Sequence, residues 1–199
     1  MKQRSLAVIC AIALGFLSVT ATAADEIRID DPNHSLVFGY IDMSDAPTKV
    51  KGAWLQQIRP IIDAPYRSMG VEDGLFYNIF IPPGIHQISS FVGSGALSGV
   101  HEYQFSRQGR NETAVEIKTP GIYFLGSFKY IKVKKTGMFQ QRKFSIERVD
   151  EPAETELLER LLTEEMRMQK SKQYKGPKRV KMKDTVWAEK IQARLAELQ

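Results

Sequence analysis

Leu75-Phe-Tyr-Asn-Ile-Phe-Ile81, then Pro82-Pro83-Gly84, then Ile85-His-Gln-Ile-Ser-Ser-Phe-Val92 is the stretch on which the fold turns. Each flank is a short run rich in isoleucine, valine and aromatic residues, the composition of a strand. A proline pair supplies no backbone N–H and cannot continue a central strand, so it must reverse the chain. The stretch therefore reads as two antiparallel strands joined by a turn.

Outward from this hairpin the same signal recurs. Leu36–Met43, Val100–Phe105, Thr113–Lys118, Ile122–Lys134 and Lys143–Val149 are further strand candidates between Gly, Pro and Asn/Asp punctuation. Arg107-Gln108-Gly109-Arg110-Asn111 and Lys135-Thr136-Gly137 supply turn chemistry between them. Several short strands without helical periods between them predict a mainly β fold, an antiparallel β-sandwich over 25–150. Lys49–Tyr66 shows no clear period and is expected to be an irregular excursion or a short helix.

After Asp150 the period changes. Leu157, Leu158, Leu161, Leu162 and Met166 form one apolar stripe, with Asp150 as the expected cap and Pro152 in the first turn. Gly176-Pro177 interrupts the pattern. Asp184 is then expected to cap a second helix reaching Leu198, with Trp187, Ile191, Leu195 and Leu198 on one face. Two C-terminal α-helices thus follow the sandwich, and residues 151–199 form a helical tail. Neither stripe can stay in water; each must dock on the sandwich, on its neighbour or on a partner.

The N-terminus carries Lys2 and Arg4, then the uncharged, mostly apolar run Leu6–Val19, then small residues to Ala24. These are the three regions of a secretory signal peptide, expected to be cleaved after Ala23 or Ala24, with a retained anchor as the alternative. Cys10, the only cysteine, lies within that run. Cleavage would leave no disulfide, thiolate nucleophile or cysteine metal site, and no transmembrane segment. The expected location is periplasmic or secreted. Asn33-His34-Ser35 and Asn111-Glu112-Thr113 match the glycosylation sequon, which matters in a eukaryotic host.

Charge is unevenly spread. Residues 25–150 hold 15 Lys and Arg against 14 Asp and Glu, and Glu151–Glu165 is acidic. Met166–Lys183 then carries Arg167, Lys170, Lys172, Lys175, Lys178, Arg179, Lys181 and Lys183 with no acid. Lys170, Lys172, Lys175, Lys178, Arg179, Lys181 and Lys183 are the candidate contacts for an anionic surface, through an attraction that salt weakens. The competing reading is a solvated linker that balances the glutamates before it. Nucleic acid is not the expected partner outside the cytoplasm.

Gly74–Gly84 leading into Ile85-His-Gln-Ile-Ser, with Pro120-Gly-Ile-Tyr-Phe-Leu-Gly126 later, resembles the prealbumin-like (transthyretin-like) and carboxypeptidase-regulatory-like sandwich modules. The resemblance spans at most Leu36–Val149. It implies a non-catalytic role in binding, folding or assembly, and it brings no active-site motif.

The residues themselves point the same way. His34, His86 and His101 lack the spacing that would put two imidazoles on one metal, and no metal or other cofactor is expected. Gly93-Ser-Gly-Ala-Leu-Ser-Gly99 has neither the third glycine of a phosphate loop nor the Gly-x-Ser-x-Gly of a nucleophile elbow; it reads as a strand connection. Asp42, Asp45 and Asp63 read as turn acids, and the aromatics, among them Trp54, Tyr103 and Phe128, read as core rather than a sugar platform. The function expected is a non-enzymatic binding or accessory module of the envelope, meeting an envelope protein or an anionic envelope surface. The alternatives are a glycan hydrolase using Asp42 and Asp45, or a structural subunit assembling through its helices.

Overall fold

The computed structural model describes residues 29–46, 48–62, 65–68, 70–95, 99–105, 109–132, 144–167 and 179–199. Residues 1–24, expected to be a signal peptide, the turn at Lys135-Thr136-Gly137, Asp63 and Lys170–Lys178 lie outside the described residues. Among the described residues ten strands come first: β1 (Ser35–Asp42), β2 (Lys49–Arg59), β3 (Tyr66–Arg67), β4 (Gly70–Glu72), β5 (Leu75–Ile81), β6 (Gly84–Gly95), β7 (Gly99–Gln104), β8 (Val115–Ile117), β9 (Ile122–Lys132) and β10 (Phe144–Val149). Helix α1 (Glu154–Thr163), strands β11 (Glu165–Arg167) and β12 (Arg179–Lys181), a 3-10 turn (Met182–Asp184) and helix α2 (Val186–Leu198) follow.

The first sheet has the order β10-β9-β1-β5-β4, the second β3-β2-β6-β7 with β8 also on β6. They form the mainly β sandwich expected, followed by the two C-terminal helices. Most pairs are antiparallel, but β1 and β9 run parallel, which hairpins alone would not produce. The opening stretch forms β5 and β6 with Pro82-Pro83 between them. The proline turn carries the chain from one sheet to the other rather than closing a hairpin within one.

Two cores divide the apolar residues. Val37, Ile41, Leu55, Phe76, Ile88, Phe91, Leu125 and Phe128 fill the space between the sheets. Leu36, Phe38, Leu75, Tyr77 and Ile79, on the outer face of the first sheet, meet Leu157, Leu158, Leu161, Met166, Met182, Trp187 and Ile191 from the tail. The molecule thus has three layers, with the tail docked on its own sandwich. Burying each such side chain contributes roughly 1.5–3 kcal/mol.

Three sequence expectations require correction. Lys49–Arg59 is an eleven-residue strand between β3 and β6, not an irregular excursion or a short helix. Its pairing with β6 shifts register at Val50/Gly52, Trp54/Leu55 and Gln57/Arg59; the first and last put an extra residue on β2 and break the two-residue period by which a strand is recognised. The helix starts are displaced: Ala153, not Asp150, precedes α1 without a side-chain cap, and Thr185, not Asp184, caps α2 by accepting the Trp187 N–H at 3.2 Å. Met166 belongs to β11 rather than to the first helix, although it shares that helix's core.

Candidate functional site

The last segment of the chain decides where the positive charge sits. Strands β11 and β12 pair antiparallel with Glu165 opposite Lys181, Met166 opposite Val180 and Arg167 opposite Arg179. The basic run is therefore not strung between two helices. Its two ends are brought side by side, and 168–178 connects them. The Met182 N–H donates to the Glu164 carbonyl at 2.9 Å and closes the base of this hairpin.

Arg179-Val180-Lys181-Met182-Lys183 alternates cation and apolar residue, and the structure sorts them accordingly. Met182 is fully buried and Val180 packs against the same tail core, whereas Arg179, Lys181 and Lys183 are exposed. Strand pleat explains the sorting over Arg179–Lys181, since neighbouring residues point to opposite sides and alternate ones stand about 6.5–7 Å apart on one side; Met182 and Lys183 belong to the 3-10 turn that follows. Met166 is likewise fully buried on the partner strand. The apolar residues root the hairpin in the core while the cations face water.

Two carboxylates share this region. Glu165 lies 3.7 Å from the Arg179 guanidinium, an exposed and weak pair. Glu165, Arg179, Val180, Lys181, Lys183 and Asp184 line an open hollow of about 490 Å³. Sequence reasoning identified its cations but not Glu165 or Asp184, whose part comes from strand pairing and the following turn. The alternation from Arg179 to Lys183 was the available signal for a strand. Of the seven candidate contacts, Arg179, Lys181 and Lys183 are brought together here, and Lys170, Lys172, Lys175 and Lys178 lie outside the described residues.

The other candidate residues are taken up by the fold. The Asp42 carboxylate accepts from the Ser44 backbone N–H at 2.8 Å and from its hydroxyl at 3.1 Å, while Asp45 pairs with Lys129 at 2.9 Å. His34 sits 3.1 Å from Asp31 through Nδ1, and His101 lies on β7. His86 is fully buried, its Nε2 is 2.9 Å from the Pro82 carbonyl and its Nδ1 has no partner; burial pushes its pKa down. Among the described residues no cluster of three His, Cys, Asp or Glu is placed to hold a metal.

Asn111 is equally committed: its side-chain amide donates to the Ile88 carbonyl at 2.9 Å and its oxygen accepts from Thr113, pinning the loop to β6. Gly95 pairs with Gly99, so the glycine-rich connection narrows to Ala96–Ser98, outside the described residues. Phe91, Tyr103, Phe105, Tyr130 and Phe144 form one ring cluster on the inter-sheet core. Trp54, on the outer face of the second sheet, lies 5.6 Å from the Arg67 guanidinium.

No family model, curated protein or solved structure matches the chain.

Proposed function

We propose that this protein is an exported, non-enzymatic binding or accessory module of the cell envelope, acting in the periplasm, and that the β11–β12 hairpin is its contact with an anionic envelope component. The observation that carries the reading is the register of β11 and β12, which brings the two ends of an acid-free basic run side by side at a base rooted in the core. A filled inter-sheet core supports a scaffold role for the sandwich, and the prealbumin-like resemblance implies the same. Leu157, Leu158 and Leu161 of α1 and Trp187 and Ile191 of α2 are already used in the core on the first sheet, which favours the hairpin over the helices as the outward contact.

The test is capture from solubilised envelope by the mature protein and by a variant in which 168–178 is replaced by a short Gly-Asn turn. Capture that fades with salt and is lost in the variant supports the reading. Equal capture by both forms and by an Arg179→Gln/Lys181→Gln/Lys183→Gln variant moves the contact to the sandwich and overturns it. Cutting the chain at Asp150 is unsuitable, because that also uncovers Leu36, Phe38, Leu75, Tyr77 and Ile79.

A further inference from the structure

We infer that His86 works an acid-released catch, which holds the crossover between the two sheets against the end of β2. The device is separate from the β11–β12 hairpin and does not rest on the role proposed for it. Its parts come from three places in the chain. His86 is fully enclosed near the start of β6, with its Nε2 2.9 Å from the Pro82 carbonyl. Gln57, buried and opposite His86 in the strand pairing, donates its side-chain amide to the Pro83 carbonyl at 3.3 Å. Tyr66 closes the corner: its ring stands edge-on to the imidazole at 5.8 Å between centroids, and its hydroxyl donates to the Gln57 side-chain oxygen at 3.3 Å. Gly84 completes the fit, since a methyl group there would lie 2.5 Å from Gln57 Nε2 and 2.6 Å from the Arg59 carbonyl. Both proline carbonyls of the crossover are thus held by side chains of the second sheet.

The protonation state follows from these partners. A carbonyl can only accept, so Nε2 carries the proton of the neutral ring and Nδ1 is left with its lone pair. Nδ1 is buried and has no hydrogen-bond partner among the described residues. A second proton would create a buried N–H and a positive charge with no acceptor for either. The neighbouring strands supply no anion there. Gln57 on β2 and Val115 on β8 stand opposite His86, and the Tyr66 phenol on β3 is kept neutral by burial, which raises its pKa. Arg59 and Glu116, which flank the adjacent Ile85, are exposed. Burial accordingly lowers the His86 pKa, although the Pro82 carbonyl favours the charged ring. The closed corner excludes the proton, and a corner opened to water takes it up near the ordinary 6.5.

The corner can open without unfolding the sandwich, because little else ties it down. Proline supplies no N–H to a ladder, the β2–β6 register shifts between Gln57 and Arg59, and Pro83 is exposed. Strand β3 has anchors of its own: the Asn78 amide donates to the Arg67 carbonyl at 2.8 Å, and the Ser68 hydroxyl accepts from the Ala53 N–H at 3.0 Å. Acid therefore releases 57–59 and 82–86 and leaves β3 and the first sheet in place.

The experiment is hydrogen–deuterium exchange of the mature protein from about pH 7.5 to about pH 5, read by mass spectrometry and corrected for the intrinsic exchange rate. Below pH 6.5, exchange in 57–59 and 84–86 should rise by up to about ten-fold per pH unit, while Leu36–Ile41 and Leu157–Leu161 stay protected over the same exposure. His86→Gln should abolish the acid response. Tyr66→Phe, which keeps the ring and loses the bond to Gln57, should raise exchange in the same segments about two- to ten-fold at every pH and retain the response. A flat response in the parent, loss of protection in both sheets together, an acid response that survives in His86→Gln, or a Tyr66→Phe variant that exchanges as the parent does overturns the catch. If His86→Gln does not fold, titration of the His86 ring by NMR in the parent decides: a midpoint below 6.5 that coincides with the rise in exchange supports the catch, and a midpoint at or above it overturns it.

Discussion

The two sheets of the sandwich differ on their outer faces. On the first, Leu36, Phe38, Leu75, Tyr77 and Ile79 point away from the inter-sheet core and are buried by the tail. On the second, Lys49, Lys51, Glu102 and Gln104 are exposed and Trp54 is half-buried. A strand covered on both faces reads as a continuous apolar run; a strand covered on one face alternates. The difference means that the C-terminal tail is structural for the first sheet and has no such duty toward the second.

The largest way to break this contrast is to end the chain at Asp150. Five apolar side chains of the first sheet would lose their cover, and loss of soluble monomer is expected in size-exclusion chromatography and circular dichroism. A stable, monodisperse product would mean that the tail is not part of the first sheet's core. Next in size is Trp187→Ala, which removes a fully enclosed ring and its bond to Ile29 and should cost about 3–5 kcal/mol in chemical denaturation. A cost below about 1 kcal/mol would show that the helical layer is loosely held.

The contrast can be sharpened inside the second sheet through His86. Burial lowers its folded-state pKa beneath the ordinary 6.5, so the unfolded chain takes up the proton first. Stability should therefore be full above pH 6.5 and decline as pH falls from there toward the folded-state value. His86→Gln should flatten that decline in denaturation series; an unchanged slope would assign it to other groups. A smaller effect is expected for Glu154→Gln at the α1–α2 ion pair. Arg194 lies 2.9 Å from Glu154 but is partly exposed, and solvent screening keeps the loss under about 1 kcal/mol. Least of all, Lys51→Gln on the uncovered sheet should stay within about 0.5 kcal/mol.

Legibility followed the same physics. Leu75–Ile81 was bounded correctly because prolines and a glycine flank an uninterrupted β-rich run. The Asp73-Gly74 turn before it is also locally specified, with positive φ at both residues (43° and 90°), as a tight hairpin turn requires. Lys49–Arg59 was hidden because bulges in its pairing break the alternation. The spacing of Met166 from Leu162 fits a helical stripe, yet the chain leaves α1 at Glu164 and pairs Met166 with Val180. Spacing alone cannot tell a buried strand residue from a helical one at the end of a stripe.

The candidate site was legible in charge but not in form. That the stretch from Met166 to Lys183 is basic and acid-free is a property of the sequence. That Arg167 meets Arg179, that Glu165 meets Lys181, and that Val180 and Met182 turn inward are consequences of pairing between residues far apart in the chain.

By itself the sequence determined the β-rich class, the proline turn, the change to helical period after Asp150 and the charge division, because these depend on local composition and spacing. Only the tertiary structure decided that β1 and β9 run parallel, that the described part of the tail packs on the first sheet, and that the two ends of the basic run lie side by side. Those outcomes depend on which apolar faces meet, and the free energy of that meeting belongs to pairs of surfaces rather than to any one segment.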